Sequence, residues 1–262
     1  MKLELIHKPA KGQARAASLL FIHGMFHGAW CWEEFFLPFF AEQGYESYAL
    51  SLRGHAGSEG QAELRWHSIA DYVKDIEWAV SQIGAPAVII GHSMGGFVTQ
   101  KFLETNSPAA AVLLTSVPPT TIWSATLRVL AKFPMSVIKA LASLNLYHII
   151  ATPEQTQFAF FSKDMPLAAV KKYHAQMNSE SIRAYFDMLG LNLIHPQRVK
   201  TPLLALGAED DAVISVNNVK STAKAYGTRA EIFPKLAHDV MLEAGWKSVA
   251  ERILEWLKEQ EL

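Results

Sequence analysis

The chain carries Gly91-His92-Ser93-Met94-Gly95-Gly96 where a short apolar run, Ala87 to Gly91, gives way to a helix-like stretch, Met94 to Thr105. A Gly-x-Ser-x-Gly between a strand and a helix forces a turn so tight that the serine hydroxyl is lifted clear of the sheet. The residues two before and two after the serine must be small to avoid collision, and both are glycine. The turn also sets Ser93 at a helix N-terminus, where backbone N–H groups favour developing negative charge. This is the placement of a nucleophile.

A serine hydroxyl needs a base, and the base needs a partner that fixes its tautomer. Of the ten histidines, His148, His174, His195 and His238 follow Ser93. The first three lie in a segment without strand pattern. His238 falls in the loop Pro234 to Asp239, five residues after a predicted strand, Ala230 to Phe233. Loops at strand ends gather catalytic groups, so His238 is the expected base. For the acid, the predicted strand Leu203 to Gly207 runs into Ala208-Glu209-Asp210-Asp211, whereas no Asp or Glu occurs between Glu104 and Glu154. Asp210 is the expected acid, with Asp211 as its substitute. The unused carboxylates then belong to a solvated turn or a helix N-terminus. There is no Gly-x-Gly-x-x-Gly after a strand, no phosphate-binding Gly-x-x-x-x-Gly-Lys and no His-Glu-x-x-His, so neither a nucleotide cofactor nor a metal is expected.

The surrounding elements must position these groups. In 262 residues, half are hydrophobic and 19% charged, enough apolar material for a large core and too much for a disordered chain. The 24 basic and 25 acidic residues nearly cancel, which argues against a nucleic-acid partner held by bulk charge. Strands are expected at Leu3–Lys8, Ser18–Ile22, Tyr45–Ser51, Ala87–Gly91, Ala109–Val117, Leu203–Gly207 and Ala230–Phe233. Helices are expected at Ala29–Gln43, Ser68–Ile83, Met94–Thr105, Val216–Tyr226 and Trp246–Lys258. Alternating strands and helices predict a mostly parallel, doubly wound α/β sheet covered on both faces. From Pro118 to His195 no strand pattern appears, but helical stretches do, around Thr126–Leu144, Pro153–Phe161, Pro166–Met177 and Ser181–Gly190. A core of residues 1–117 and 196–262 with a helical cap at 118–195 follows. The uncharged stretch Thr105 to Leu127 is broken by Pro108, Pro118 and Pro119 and reads as a buried strand leaving into a loop, not a membrane span. The N-terminus shows no apolar signal core, which points to a cytoplasmic protein. Cys31, the single cysteine, lies between Trp30 and Trp32 and reads as a small buried hydrophobe.

His23-Gly24, the turn at Ser93, Gly207-x-x-Asp210 and His238 together resemble the α/β-hydrolase superfamily, and the likeness covers nearly the whole chain outside the insert. His23 to Trp32 is similar to plant methylesterases and hydroxynitrile lyases, whereas Leu52 to Ser58 resembles lysophospholipases and monoacylglycerol lipases. The resemblance implies the α/β-hydrolase fold, supports Asp210 by the spacing of the acid turn, and implies an oxyanion hole from the backbone N–H groups of Met94 and Met25, with Phe26 as runner-up to Met25. His23 is expected to hold that loop by hydrogen bonds. His27 and His92 are read as packed, satisfied histidines. The insert's apolar and aromatic residues, among them Trp123, Met135, Phe160 and Tyr185, are expected partly to line a pocket over Ser93, with Arg128 and Arg183 as the cations able to meet one substrate carboxylate. The expected activity is hydrolysis of a small to medium apolar ester or lactone. The alternatives are carbon–carbon bond, thioester or cyanohydrin cleavage on the same residues, or a non-enzymatic ligand-binding role.

Overall fold

A computed structural model describes residues 1–262. Seven strands form one sheet: β1 (Glu4–Lys8), β2 (Ser18–Ile22), β3 (Ser47–Ser51), β4 (Ala87–His92), β5 (Ala110–Leu114), β6 (Leu203–Ala208) and β7 (Ala230–Phe233). Their order is β1-β3-β2-β4-β5-β6-β7; β1 runs antiparallel to β3 and every other pair is parallel. Every residue of β2, β4, β5 and β6 is buried, as a parallel sheet covered on both faces requires. The chain winds from β2 outward to β3, then returns to place β4 on the other side of β2. The carboxyl ends of β2 and β4 therefore flank the point where winding reverses, the usual location of a ligand crevice in such sheets.

The helices are α1 (Trp30–Glu33), α2 (Phe36–Glu42), α3 (Ile69–Gln82), α4 (Met94–Phe102), α5 (Trp123–Lys132), α6 (Pro134–Ser143), α7 (Pro153–Phe160), α8 (Leu167–His174), α9 (Ile182–Phe186), α10 (Val216–Ala225) and α11 (Trp246–Glu259). Three begin with reciprocal caps: Ser68 with Asp71, Thr152 with Gln155, and Ser215 with Asn218. Two stretches expected as single helices are divided. Pro38 has no N–H to offer Glu34, and the chain breaks at Phe35 between α1 and α2. Pro134 pushes Phe133 out of the helical region, to φ −133° and ψ 65°, and starts α6 afresh. No helix is long and apolar enough to cross a membrane.

Helices α5 to α9 lie between β5 and β6 in sequence, yet their buried residues join the sheet's in one continuous core. A polar tie reinforces this. In the loop after β3, His55 has Nδ1 3.1 Å from Arg53 O and Nε2 3.0 Å from Glu180 Oε2, and the Tyr72 hydroxyl donates to Glu180 Oε1 at 2.8 Å. His55 and Glu180 are both buried. Burial lowers the His55 pKa, but the adjacent Glu180 charge and its hydrogen bond raise it by more, to above the ordinary 6.5. The neighbouring His23 ring, 5.0 Å away, is held well below 6.5, mainly by burial and then by His55. A histidine raised on folding contributes stability that is complete below its unfolded pKa and is lost as pH rises through its folded one. Glu180→Gln should therefore lower the unfolding free energy near pH 6 by about 3 kcal/mol. Urea titrations at successively higher pH should show its deficit against wild type shrinking.

Candidate active site

The turn between β4 and α4 has the conformation its sequence demands. Ser93 sits at φ 52° and ψ −117°, a strained position for a residue with a side chain. A Cβ on Gly91 would come within 2.6 Å of Gly95 O, and one on Gly95 within 2.5 Å of Ile22 O. The backbone closes around the strain: Ser93 N–H donates to Leu114 O at 3.1 Å, and Ser93 O accepts from Phe97 and Val117 N–H at 3.2 and 3.1 Å.

His238 is buried, and its Nδ1 lies 2.7 Å from Oδ2 of Asp211. The carboxylate on this histidine is thus that of Asp211, not of Asp210 as the spacing from Gly207 implies. β6 continues through Ala208, one residue beyond the predicted end. That extra residue turns Asp210 to solvent, with its N–H tied to Leu236 O at 2.9 Å, and turns Asp211 inward. Asp211 Oδ1 also accepts from Val213 and Ile214 N–H, each at 2.7 Å, so both carboxylate oxygens are engaged. Burial lowers the His238 pKa, but the Asp211 charge and hydrogen bond outweigh it, leaving the ring above 6.5. The other ring nitrogen, Nε2, is buried and without a hydrogen-bond partner. Ser93 and His238 line the same cavity.

The loop after β2 faces this turn. Met25 lines the cavity beside Ser93, and Met94 opens α4, among the first-turn N–H groups that no helix carbonyl can reach. Gly24 O, in the same peptide as Met25 N–H, accepts from His23 Nδ1 at 2.8 Å; His23 Nε2 accepts from Leu52 N–H at 3.0 Å. His23 is therefore a neutral imidazole of fixed tautomer that holds the loop, as expected. His92 is also buried. Burial and the adjacent His238 hold it down to about 3, and its Nε2–H donates to His238 O at 3.1 Å. His92, His238 and Asp239 bring potential metal-ligand atoms within 4.8 Å of one another; each makes one hydrogen bond within the site and each keeps one buried atom, His92 Nδ1, His238 Nε2 and Asp239 Oδ1, without a partner.

Of the cavity's 15 lining residues, 12 are hydrophobic. Helices α5 to α7 and α9 supply much of that lining, mainly aliphatic: Ala125, Val129 and Val137, with Ile149 and Ile150 from the following turn. Of the apolar and aromatic residues of the insert, Phe160 and Tyr185 reach it, whereas Trp123, Met135, Leu141 and Phe186 are exposed. Neither arginine lines the cavity. Arg128 donates to Ala212 O at 3.0 Å and to Val213 O, and Arg183 to Asp187 Oδ1 at 3.1 Å. Cys31 is buried, which pushes its thiol well above its ordinary value.

The parallel sheet, the serine turn after β4 and the histidine after β7 define an α/β-hydrolase of the esterase and lipase kind. Residues 13–245 match the family described as serine aminopeptidase, S33, and the chain belongs to that family. It is 24% identical over 257 residues to epoxide hydrolase 3 of Xenopus tropicalis, covering 88% of this chain and 69% of that protein. It is 23% identical over 235 residues to the monoacylglycerol lipase of Mycolicibacterium smegmatis, covering 83% and 80%. An esterase from Exiguobacterium antarcticum superposes with a TM-score of 0.74 at 17% identity, over 98% of this chain and 95% of that one.

The pairing on His238 has a direct readout. Asp211→Asn should lower the His238 pKa, because burial is then less opposed, while Asp210→Asn should leave it unchanged. Histidine NMR titrations of the two variants check this.

Proposed function

We propose that the chain is a serine hydrolase that cleaves a carboxylic ester or lactone of a small to medium apolar substrate through an acyl-enzyme. The observation that carries this reading is the buried, unpartnered His238 Nε2 opening with Ser93 into one apolar cavity, while Asp211 occupies Nδ1. In this reading the helices between β5 and β6 form a cap over the site. The chain's single cysteine, buried in the core, is in keeping with a reducing, cytoplasmic setting.

Ser93 Oγ adds to the ester carbonyl while His238 Nε2 takes the hydroxyl proton. Asp211 holds the ring with Nδ1–H toward itself and stabilises the imidazolium that forms. The carbonyl oxygen becomes an oxyanion that the N–H groups of Met25 and Met94 meet. When the tetrahedral adduct collapses, the C–O bond to the alcohol breaks and His238 returns its proton to the leaving oxygen. Water then attacks the acyl-serine, again giving up a proton to Nε2, and the acid departs as Ser93 Oγ regains its hydrogen. The lining offers little to a charged acyl group, so binding comes from apolar burial. The complete set of serine, histidine and carboxylate argues against a purely ligand-binding role.

Ser93→Ala should stay folded and lose on the order of 10⁴-fold in kcat on p-nitrophenyl butyrate. Asp211→Asn should lose roughly 10³ to 10⁴ on the same ester, with Asp210→Asn within a few-fold of wild type. Retention of more than about a tenth of the rate by Ser93→Ala would refute the nucleophile. The base must be unprotonated, so kcat/KM should rise with pH through the raised His238 pKa, giving an acid limb above 6.5. In residual Asp211→Asn activity that limb should move to lower pH.

A further inference from the structure

His27 lies two residues past Met25 and is buried. Its Nδ1 is 2.7 Å from Met25 O and its Nε2 is 2.9 Å from Asp239 Oδ2. A carbonyl and a carboxylate only accept, so the two ring nitrogens of His27 face an acceptor on each side. Asp239 is fully buried. Burial raises its pKa, but the facing His27 lowers it by more, so the carboxylate form is favoured. This pair takes no part in the proton transfers described above, yet it touches both halves of the site. Asp239 is bonded in sequence to His238, and its own N–H is tied to Phe160 O at 2.9 Å. Met25 O belongs to the same peptide as Phe26 N–H.

That peptide needs holding. Phe26 has φ 69°, in the left-handed region that a bulky residue occupies only under constraint. Each carbonyl along the turn has a partner: Gly24 O takes His23 Nδ1–H at 2.8 Å, Met25 O takes His27 Nδ1–H at 2.7 Å, and Phe26 O takes Asn178 N–H at 3.1 Å. The middle one is the shortest of the three, and its donor ring is buried and anchored at its far side by Asp239. Without it, Phe26 could relax to negative φ, swinging the adjoining peptides and the N–H groups they carry. Trp30 stacks on the His27 ring at 5.2 Å and Phe160 packs against it nearly perpendicular at 5.0 Å, flanking the ring with two aromatic groups.

We propose that His27, anchored by Asp239, is a positioning residue that locks the Met25–Phe26 turn so that its N–H donors face the oxyanion formed on Ser93. The proposal rests on the serine-hydrolase reading above. It predicts that the pair acts on transition-state binding rather than on substrate binding.

The test uses His27→Gln and Asp239→Asn in the full chain, with thermal melts to establish folding. On p-nitrophenyl butyrate, each should lose on the order of 100-fold in kcat with KM within about three-fold of wild type, the scale of one lost oxyanion donor. Affinity for an alkyl trifluoromethyl ketone, which adds to the serine as an oxyanion hemiketal, should fall in step with kcat/KM. Affinity for the matching methyl ketone, which only fills the cavity, should stay within about three-fold. The double variant should be no worse than the weaker single, since the two residues act as a unit. Folded variants that keep wild-type kcat and trifluoromethyl ketone affinity, or that raise KM alone, would overturn the proposal and leave the pair merely structural. A wild type that neither hydrolyses the ester nor binds the trifluoromethyl ketone would instead sink the hydrolase reading and the proposal with it. Should both variants unfold, the wild type decides by ¹⁵N NMR: trifluoromethyl ketone binding must shift the His27 ring nitrogens together with the Met25 and Phe26 amides, and unmoved ring nitrogens would overturn the assignment.

Discussion

The close approach of the turn after β4 to the end of β2 is the constraint from which the rest of the site follows. Gly95 lies so near Ile22 O that a Cβ there would stand 2.5 Å from it. Ser93 keeps φ 52° because it is gripped on all sides by backbone, through Leu114 O below and the Phe97 and Val117 N–H groups above. A strained residue persists only where its surroundings over-determine it. Three parallel strands meet at this point, β2, β4 and β5, and all three are buried along their whole length. The same contact sets the distance between the start of α4 and the loop after β2, so one packing constraint fixes both the hydroxyl and the backbone groups that face it.

Around this turn the protein buries histidines against carboxylates. His238 faces Asp211, His27 faces Asp239 and His55 faces Glu180, all six side chains at or near zero exposure. Burying such pairs rarely adds net stability over apolar packing of equal volume, since desolvation consumes most of the Coulombic gain. Their value is geometric. A carboxylate opposite an imidazole fixes which nitrogen carries hydrogen and where the ring points. His23, with no carboxylate in reach, and His92, whose Nε2 stands 3.6 Å from Asp239 Oδ1, are instead held well below the ordinary histidine pKa, mainly by burial.

What the sequence revealed follows from the range of each interaction. The Ser93 turn was legible because strand, glycines, serine and helix are contiguous, and steric exclusion at Gly91 and Gly95 acts over four residues. His238 was legible because loops after strands of a parallel sheet open on one edge. Asp211 was not distinguished from Asp210, since a single residue's extension of β6 reverses which carboxylate points inward. Its signal was available only in Ala208, a small apolar residue able to continue the strand. The breaks at Phe35 and Phe133 could have been taken from Pro38 and Pro134. The pairing of His27 with Asp239 spans 212 residues and leaves no local trace. The insert's share of the cavity lining was legible only in part: Phe160 and Tyr185 reach it as expected, but which faces of α5 and α6 turn Val129 and Val137 inward and leave Trp123 and Met135 exposed depends on tertiary packing.

The helices between β5 and β6 are bonded to each of the loops that frame the cavity. Arg128 of α5 holds the carbonyls of Ala212 and Val213, next to Asp211. Phe160 at the end of α7 accepts the N–H of Asp239, next to His238. Asn178 donates its N–H to Phe26 O and its amide Nδ2 to Gly54 O, spanning the loops after β2 and β3. A roof that only excluded water could rest on apolar contact alone. Here the acid turn, the histidine loop and the turn after β2 each take a backbone hydrogen bond from or to the insert. Any displacement of these helices must therefore break or carry along bonds to all three loops, so the apolar lining of the cavity and the polar geometry beside it move together.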